Sequence, residues 1–469
     1  MTNNRFFAGA LLAATALTCA TPAAAQRVDR IVAFGDSYAD DGNFFQLVGI
    51  NPVTGTGGVY TTGRFSGGSN YIDTLAQLLA VPVDNFAIGG ALTDNRNTTG
   101  PALGFVTEYN SFLAGGGPAA FPRVGGTFDS NDLLTVSIGG NDARSYQQTG
   151  GTLAGAPAAA TASAAFATTG LNALVAAGAQ NISFLAGNTA NLPEVATNPA
   201  AQAVRNAFST TFNTAIQNTL AGYAANGAIV NYTDLTLIGN NVIANPAAYG
   251  LTSAGACNLG ATCITDSATA NRFLFYVDNL HLTSAGFAIV AAYVDRQMTA
   301  PLTLQAPTDT ALDTAVQFGR TLTTRMDLGA PRDGDMPEGL AVYAVGDTIS
   351  RTIGASQRND QFKVTSVGVT GGVEYGFGSG IVGVGVNVSR PKANFANDKS
   401  RDEVKSVQAG IYGGFGIAGG FVQGYASVGR DRHDITRLGV VSELDASPKG
   451  KHRASAWCPN SMPAPRASI

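Results

Sequence analysis

Histidine is scarce in this chain of 469 residues: there are three, and His281 is the only one before residue 433. Any imidazole chemistry in the first 430 residues therefore passes through a single side chain. Charge is also sparse, at 13% of residues, with a net charge of −4. No basic stripe runs along the chain, so the electrostatic footprint of a nucleic-acid binder is missing. No run of 18 or more apolar residues follows the first 25, and no membrane-spanning helix is expected there. A β-barrel stays open as a possibility, because its signal per strand is much weaker. Cysteine occurs four times and tryptophan once, as Trp457.

What is present is glycine, 58 residues of it, and a hydrophobic fraction of 45% that suffices for a large core. The length exceeds one ordinary domain. Residues 1–25 read as a cleaved signal peptide. Arg5 supplies a positive start, 8–20 is apolar, and Ala23, Ala24 and Ala25 precede Gln26 as a small-residue cleavage site. Cys19 raises a lipoprotein alternative, but Ala16-Leu17-Thr18 before it fits lipid attachment poorly. Export makes a disulfide between Cys257 and Cys263 chemically open, with two free thiols as the alternative. Cys458 stands alone.

Residues 26–303 have the pattern of an α/β domain. Short apolar runs at 30–34 and 133–138 end in glycine, as buried strands do. Helical spacing marks 71–80, and Ala-rich helices at 157–178 and 199–226 each precede a probable strand, at 181–185 and 228–232. A helix over 283–298 closes the domain. Strands alternating with helices imply a parallel sheet covered on both faces. Residues 304–333 form a polar, proline-punctuated linker with one helix near 310–323. From 339 the period becomes two: Val382, Val384, Val386 and Val388 alternate with Gly383, Gly385, Asn387 and Ser389. Over 334–445 this predicts antiparallel strands of an outer-membrane barrel wall, with a soluble β-sandwich as the rival. Only five or six such strands are expected, whereas a closed single-chain barrel needs at least ~8. Residues 446–469 lose the alternation and are expected to form an irregular tail. A truncation or frame-shift near 440–446 is the expected cause of both features.

Four blocks carry candidate chemistry. Phe34-Gly35-Asp36-Ser37 puts a serine just past a strand end, where ligand crevices form in parallel sheets. Taken alone it also suits a helix N-cap. A serine hydroxyl needs an adjacent base to act as nucleophile. Asp278-Asn279-Leu280-His281 offers one, with Asp278 able to fold back onto the imidazole and fix its tautomer. Gly89-Gly90 and Gly139-Gly140-Asn141 follow other strand ends and offer N–H donors, though either glycine pair alone could be a turn. Asp36, Asp40, Asp41 and Asn43 lack a calcium-loop pattern and are taken as turn and cap residues.

These blocks, in this order, resemble the SGNH/GDSL hydrolases: Ser37 in Gly-Asp-Ser-Tyr, Gly90 in Asn-Phe-Ala-Ile-Gly-Gly-Ala, Asn141 in Gly-Gly-Asn-Asp, and Asp278 with His281 in Asp-x-x-His. The first block departs in Tyr38, where the family name has leucine. The last has Leu282 where many members have proline, and lacks the usual tryptophan before the aspartate. The C-terminal alternation resembles that of the autotransporter subgroup, in which a barrel anchors the hydrolase. The resemblance implies a flavodoxin-like three-layer fold with a parallel sheet, followed by a partial antiparallel β-barrel.

It also implies activity on esters through Ser37, His281 and Asp278, with Ser37, Gly90 and Asn141 as the oxyanion hole. No metal or cofactor is implied. The expected partners are a small-molecule or lipid ester and, through the β-domain, the outer membrane. The hydrolase domain is expected at the cell surface if the barrel is complete, and otherwise periplasmic or secreted. Two other functions remain open on the same fold: a catalytically silent surface-displayed binding module, and a polysaccharide acetylesterase or phospholipase. The Gly/Thr-rich loops at 49–61 and 95–127 are expected to flank the crevice.

Overall fold

The computed structural model describes residues 27–117, 120–326, 338–396, 400–417, 420–440 and 449–463. The segment expected to be a signal peptide, Cys19 and most of the stretch 440–446 lie outside these residues. The chain divides into two compact units, 1–298 and 299–469.

The first unit is built on five parallel strands: β1 (Arg30–Gly35), β2 (Val83–Asn85), β3 (Asp132–Ser137), β4 (Asn181–Ala186) and β5 (Ile229–Asp234). Their spatial order is β2-β1-β3-β4-β5, the flavodoxin-like arrangement, which reverses direction between β1 and β3. β3 and β4 are buried along their whole length, as is β1 after Arg30. That burial explains why these strands read as unbroken apolar runs rather than alternations. Along β1, Val32 and Phe34 enter one hydrophobic cluster while Ile31 and Ala33 enter the other, on the opposite face.

Among the described residues, eight helices of six or more residues accompany this sheet: α1 (Asn43–Val48), α2 (Tyr71–Leu79), α3 (Phe105–Leu113), α4 (Gly140–Gln148), α5 (Ala156–Ala176), α6 (Pro199–Ala225), α7 (Leu235–Ala244) and α8 (Ser284–Thr299). Phe105, Leu171 and Phe208 from α3, α5 and α6 fill the first cluster. Ile72, Ile238 and Phe287 from α2, α7 and α8 fill the second. α2 begins with a capping box, in which Asn70 accepts from the N–H of Asp73 and Asp73 accepts from that of Asn70. By length and composition alone α5 is apolar enough to cross a membrane. Its buried stripe of Ala160, Ala164, Ala167, Leu171 and Leu174 packs in the core instead. A small two-stranded pair, β6 (Ser253–Ala256) and β7 (Phe273–Phe275), lies before α8. Cys257 and Cys263 flank a loop beside it and are joined through their sulfurs at 2.04 Å.

The second unit holds α9 (Gln305–Met326) and an antiparallel sheet of β8 (Gly339–Ile353), β9 (Phe362–Gly376), β10 (Gly380–Ser389), β11 (Lys392–Phe395), β12 (Ser400–Ile417), β13 (Gly420–Arg437) and β14 (Lys449–Pro463). Val382, Val384, Val386 and Val388 face outward and are about half exposed, whereas Asn387 and Ser389, which alternate with them, are buried. The sheet thus has an apolar outer face and a small-or-polar inner one, the polarity of a barrel wall in lipid. The inner face takes α9: Phe318, Leu322 and Met326 pack on Tyr343, Ile381 and Tyr412. A Cβ at Gly385 would lie 2.7 Å from the Tyr343 hydroxyl and 3.0 Å from Leu322, so glycine there makes room for the helix.

Two expectations change. The linker helix is longer than 310–323, because Ala306, Thr310 and Met326 at its ends also find buried positions. The tail expected to be irregular contains β14, which pairs antiparallel with β13 from Asp434↔Lys449 to Gly420↔Pro463. Backbone pairing at an edge needs no side-chain alternation, and an edge strand accommodates proline.

Candidate active site

Ser37 follows β1 at the carboxyl edge of the sheet, beside the position where the strand order reverses. The chain turns sharply there. Gly35 has φ +131°, and a Cβ on it would stand 2.2 Å from the Ser137 carbonyl oxygen, so only glycine fits. The N–H of Asp36 donates to that same carbonyl at 2.9 Å. From below, the buried carboxylate of Glu108 on α3 accepts the N–H groups of Gly35 (2.7 Å) and Ile88 (3.3 Å), tying the ends of β1 and β2 together.

His281 comes from the far end of the domain, on the turn between β7 and α8. Its Nε2 lies 2.7 Å from Ser37 Oγ, and its Nδ1 lies 2.6 Å from Asp278 Oδ2. A carboxylate only accepts, so Nδ1 carries the proton and Nε2 is left to accept from the serine hydroxyl. Asp278 Oδ1 accepts the N–H groups of Leu280 and His281, both at 2.9 Å, which closes the Asp-x-x-His segment into a fixed turn. Asn279 in that turn has φ +60°, a conformation asparagine tolerates better than most residues. Ser37 is 8% exposed and His281 4%.

Three further residues hold this turn, two of which, Tyr60 and Glu194, lie outside the motif blocks. Tyr60, in the loop before α2, donates to Asp278 Oδ2 at 2.5 Å. Tyr38 donates to the Leu280 carbonyl at 3.1 Å, so the departure from the family's leucine ties the serine loop to the histidine loop. Glu194 donates its backbone N–H to the Asn279 carbonyl at 3.1 Å. The Glu194 side chain is itself clamped by Arg144 at 2.6 and 2.9 Å and by the buried Arg205 at 2.5 Å. The Phe65 ring lies 5.1 Å from the imidazole.

Gly90 and Asn141 end the second and third blocks at the same edge. Gly90 has φ +81°. Asn141, at the start of α4, is 7% exposed and donates one amide hydrogen to the Ala91 carbonyl at 3.1 Å. An amide nitrogen has a second hydrogen. Asp142 beside it accepts the N–H and hydroxyl of Thr93 at 3.0 and 2.6 Å, fixing the loop that follows Gly90. A cavity of about 290 Å³ opens at Ser37, and its wall includes Asn141, whereas Gly90 lies outside that wall.

Electrostatics separate the carboxyl groups. Burial raises Asp278, but the charge and hydrogen bonds of His281, with the Tyr60 hydroxyl, outweigh it and hold the carboxyl down at about 2. Asp36 is pushed up to about 6 and Asp40 to about 7, in each case by burial against opposing backbone hydrogen bonds. Burial also raises Glu108 and Asp142. The carboxyls around Ser37 are thus driven toward neutrality, while the one facing the imidazole stays charged. Asp40 accepts from Gly42, Phe44 and Gly89, and Asn43 donates to Asn85 and Ala87, so both act as braces between loops.

Residues 31–294 match the GDSL-like lipase/acylhydrolase family, and residues 344–458 match the autotransporter beta-domain. The thermolabile hemolysin of Vibrio parahaemolyticus is 27% identical over 126 residues, which are 26% of this chain and 27% of that protein. The chain therefore spans about a quarter of the length of that curated relative. The translocator domain of autotransporter NalP from Neisseria meningitidis is 14% identical, with a TM-score of 0.29 over 33% of this chain and 52% of that one. A protein of known structure from Lactobacillus plantarum is 18% identical, with a TM-score of 0.32 over 58% of this chain and 95% of that one.

Proposed function

The chain belongs to the GDSL-like lipase/acylhydrolase family, and we propose that it is an exported serine ester hydrolase in which Ser37, His281 and Asp278 perform two-step acyl transfer. Its C-terminal region is an autotransporter β-domain, which makes the outer membrane its location and the α/β domain its exported part. One observation carries the reading: an unbroken hydrogen-bonded line runs from Ser37 Oγ through the imidazole to Asp278, with steps of 2.7 and 2.6 Å.

In this reading His281 Nε2 takes the serine proton as Oγ attacks the ester carbonyl, and Asp278 stabilises the imidazolium that forms. The ionised state of Asp278 favours that step, since a neutral carboxyl would offer no counter-charge. Negative charge then develops on the former carbonyl oxygen. The Ser37 N–H, the Gly90 N–H and the remaining Asn141 amide hydrogen are the donors for it. His281 returns its proton to the leaving alcohol, and a water molecule repeats the sequence to release the acid.

The test is Ser37→Ala on a short p-nitrophenyl ester. Hydrolysis is expected to vanish while the melting curve is kept. Retained turnover in a pure, folded sample overturns the assignment.

A further inference from the structure

We propose that the cavity beside Ser37 is the acyl-chain site, that it selects medium-length acyl groups of about eight to twelve carbons, and that α7 forms its selective wall. This rests on the hydrolase reading above and deepens it. The cavity runs from Ser37 past the ends of β3, β4 and β5; aliphatic side chains of the core form one side of it, and polar ones, among them Arg144, Asn188 and Gln202, also border it. Leu185, Ile238, Leu274, Leu282 and Val290 line it and are at most 6% exposed, with Leu235 partly buried beside them. These residues belong to the cluster that backs one face of the sheet, so the cavity reaches into the core rather than along the surface.

The identity of the occupant follows from which atoms border the space. In acyl transfer the leaving alcohol must meet His281, which protonates it. The cavity wall contains Ser37 and Asn141, and also Leu280 and Leu282 on either side of His281. The acyl group stays bonded to Ser37 Oγ after the alcohol has left, so the space that opens at this atom takes the acyl chain. Its scale comes from comparison: an apolar cavity of ~150 Å³ takes up benzene, with six carbons. About 290 Å³ is roughly twice that. An acetyl group would leave most of it empty, with the apolar lining deprived of contacts.

The selective element is α7. Ile238 points into the cluster, whereas Ile243 also borders the cavity yet is 62% exposed, so the helix carries the wall from the floor to the mouth. Gly187, at the end of β4, faces α7 across the cavity: a Cβ there would make ordinary contact with Leu235 Cδ1 at 3.5 Å. A larger side chain at 187 is accommodated by filling the space.

The experiment is a p-nitrophenyl ester series from acetate to palmitate on the full chain, below the aggregation limit of each ester, with a fluorophosphonate labelling control. In the unmodified protein kcat/KM is expected to rise by about fourfold per added methylene up to about eight carbons. It should then fall beyond about twelve. Gly187→Leu should lower the octanoate-to-acetate ratio by at least about tenfold, and Ile238→Ala should move the maximum to longer chains. A maximum at acetate, with Ser37 still labelled, overturns the acyl-site proposal and leaves the hydrolase reading standing. Absence of labelling and of turnover on every ester overturns the hydrolase reading, and this proposal with it.

Discussion

Replacing Tyr60 by phenylalanine removes one hydroxyl and keeps the ring that packs 4.9 Å from Phe65. That hydroxyl donates to Asp278 Oδ2, the same oxygen that faces His281 Nδ1. Asp278 would keep its two backbone donors on Oδ1, so the turn should persist. A hydrogen bond to a charged group contributes about 1.5–3 kcal/mol. Only the part that differs between ground state and transition state reaches the rate. Both states contain the ionised carboxylate, but the imidazolium forms only in the second. About half of the contribution is therefore expected in kcat, roughly a four- to twelvefold fall. Tyr60 does not line the cavity, so KM should stay within about twofold. Steady-state kinetics of Tyr60→Phe on a short ester, paired with a melting curve, reads both numbers. An unchanged kcat, or a rise in KM with kcat kept, refutes the claim that Tyr60 acts through Asp278.

Other outcomes follow from the same geometry. Asn141→Ala should keep the fold and lose ~10²–10³ in kcat, the usual cost of one oxyanion donor; a rate like that of the unmodified protein removes Asn141 from the site. Asp278 titrates at about 2 in the folded chain against an ordinary 3.8, so its contribution is present above pH 3.8 and lost as pH falls through about 2. That contribution is roughly 2 kcal/mol. Asp278→Asn should therefore melt lower than the unmodified protein at pH 7, with the gap closing near pH 2. A gap independent of pH contradicts the charged state assigned to Asp278.

The sequence shows the proposed reacting groups more clearly than their supports. Ser37, Asn141 and Asp278-x-x-His281 stand out because each sits in a short block of fixed residue types, and with one histidine before residue 433 the base has no competitor. The parallel strands are legible because β3 and β4, buried on both faces, stay apolar throughout. Tyr60, Glu108 and Glu194 carry no such mark. Tyr60 meets Asp278 from 218 positions away, and nothing near either residue encodes that distance. Glu108 hides in the segment 95–127, whose glycines and threonines suggest a loop, although α3 forms there and buries Phe105 and Phe112. α7 is missed for a related reason. It starts directly after β5, capped by the strand's last residue, Asp234, so no break in the sequence separates the two. β14 is illegible because its pairing is a property of the backbone at an edge.

The account turns on whether Ser37 is a hydroxyl activated by His281. The direct measurement is covalent labelling by a fluorophosphonate, with the modified peptide mapped by mass spectrometry. The account predicts one adduct, on Ser37, formed rapidly in the unmodified protein and lost in His281→Ala while the melting curve is kept. Labelling at another serine, or labelling of Ser37 at an unchanged rate without His281, would contradict it.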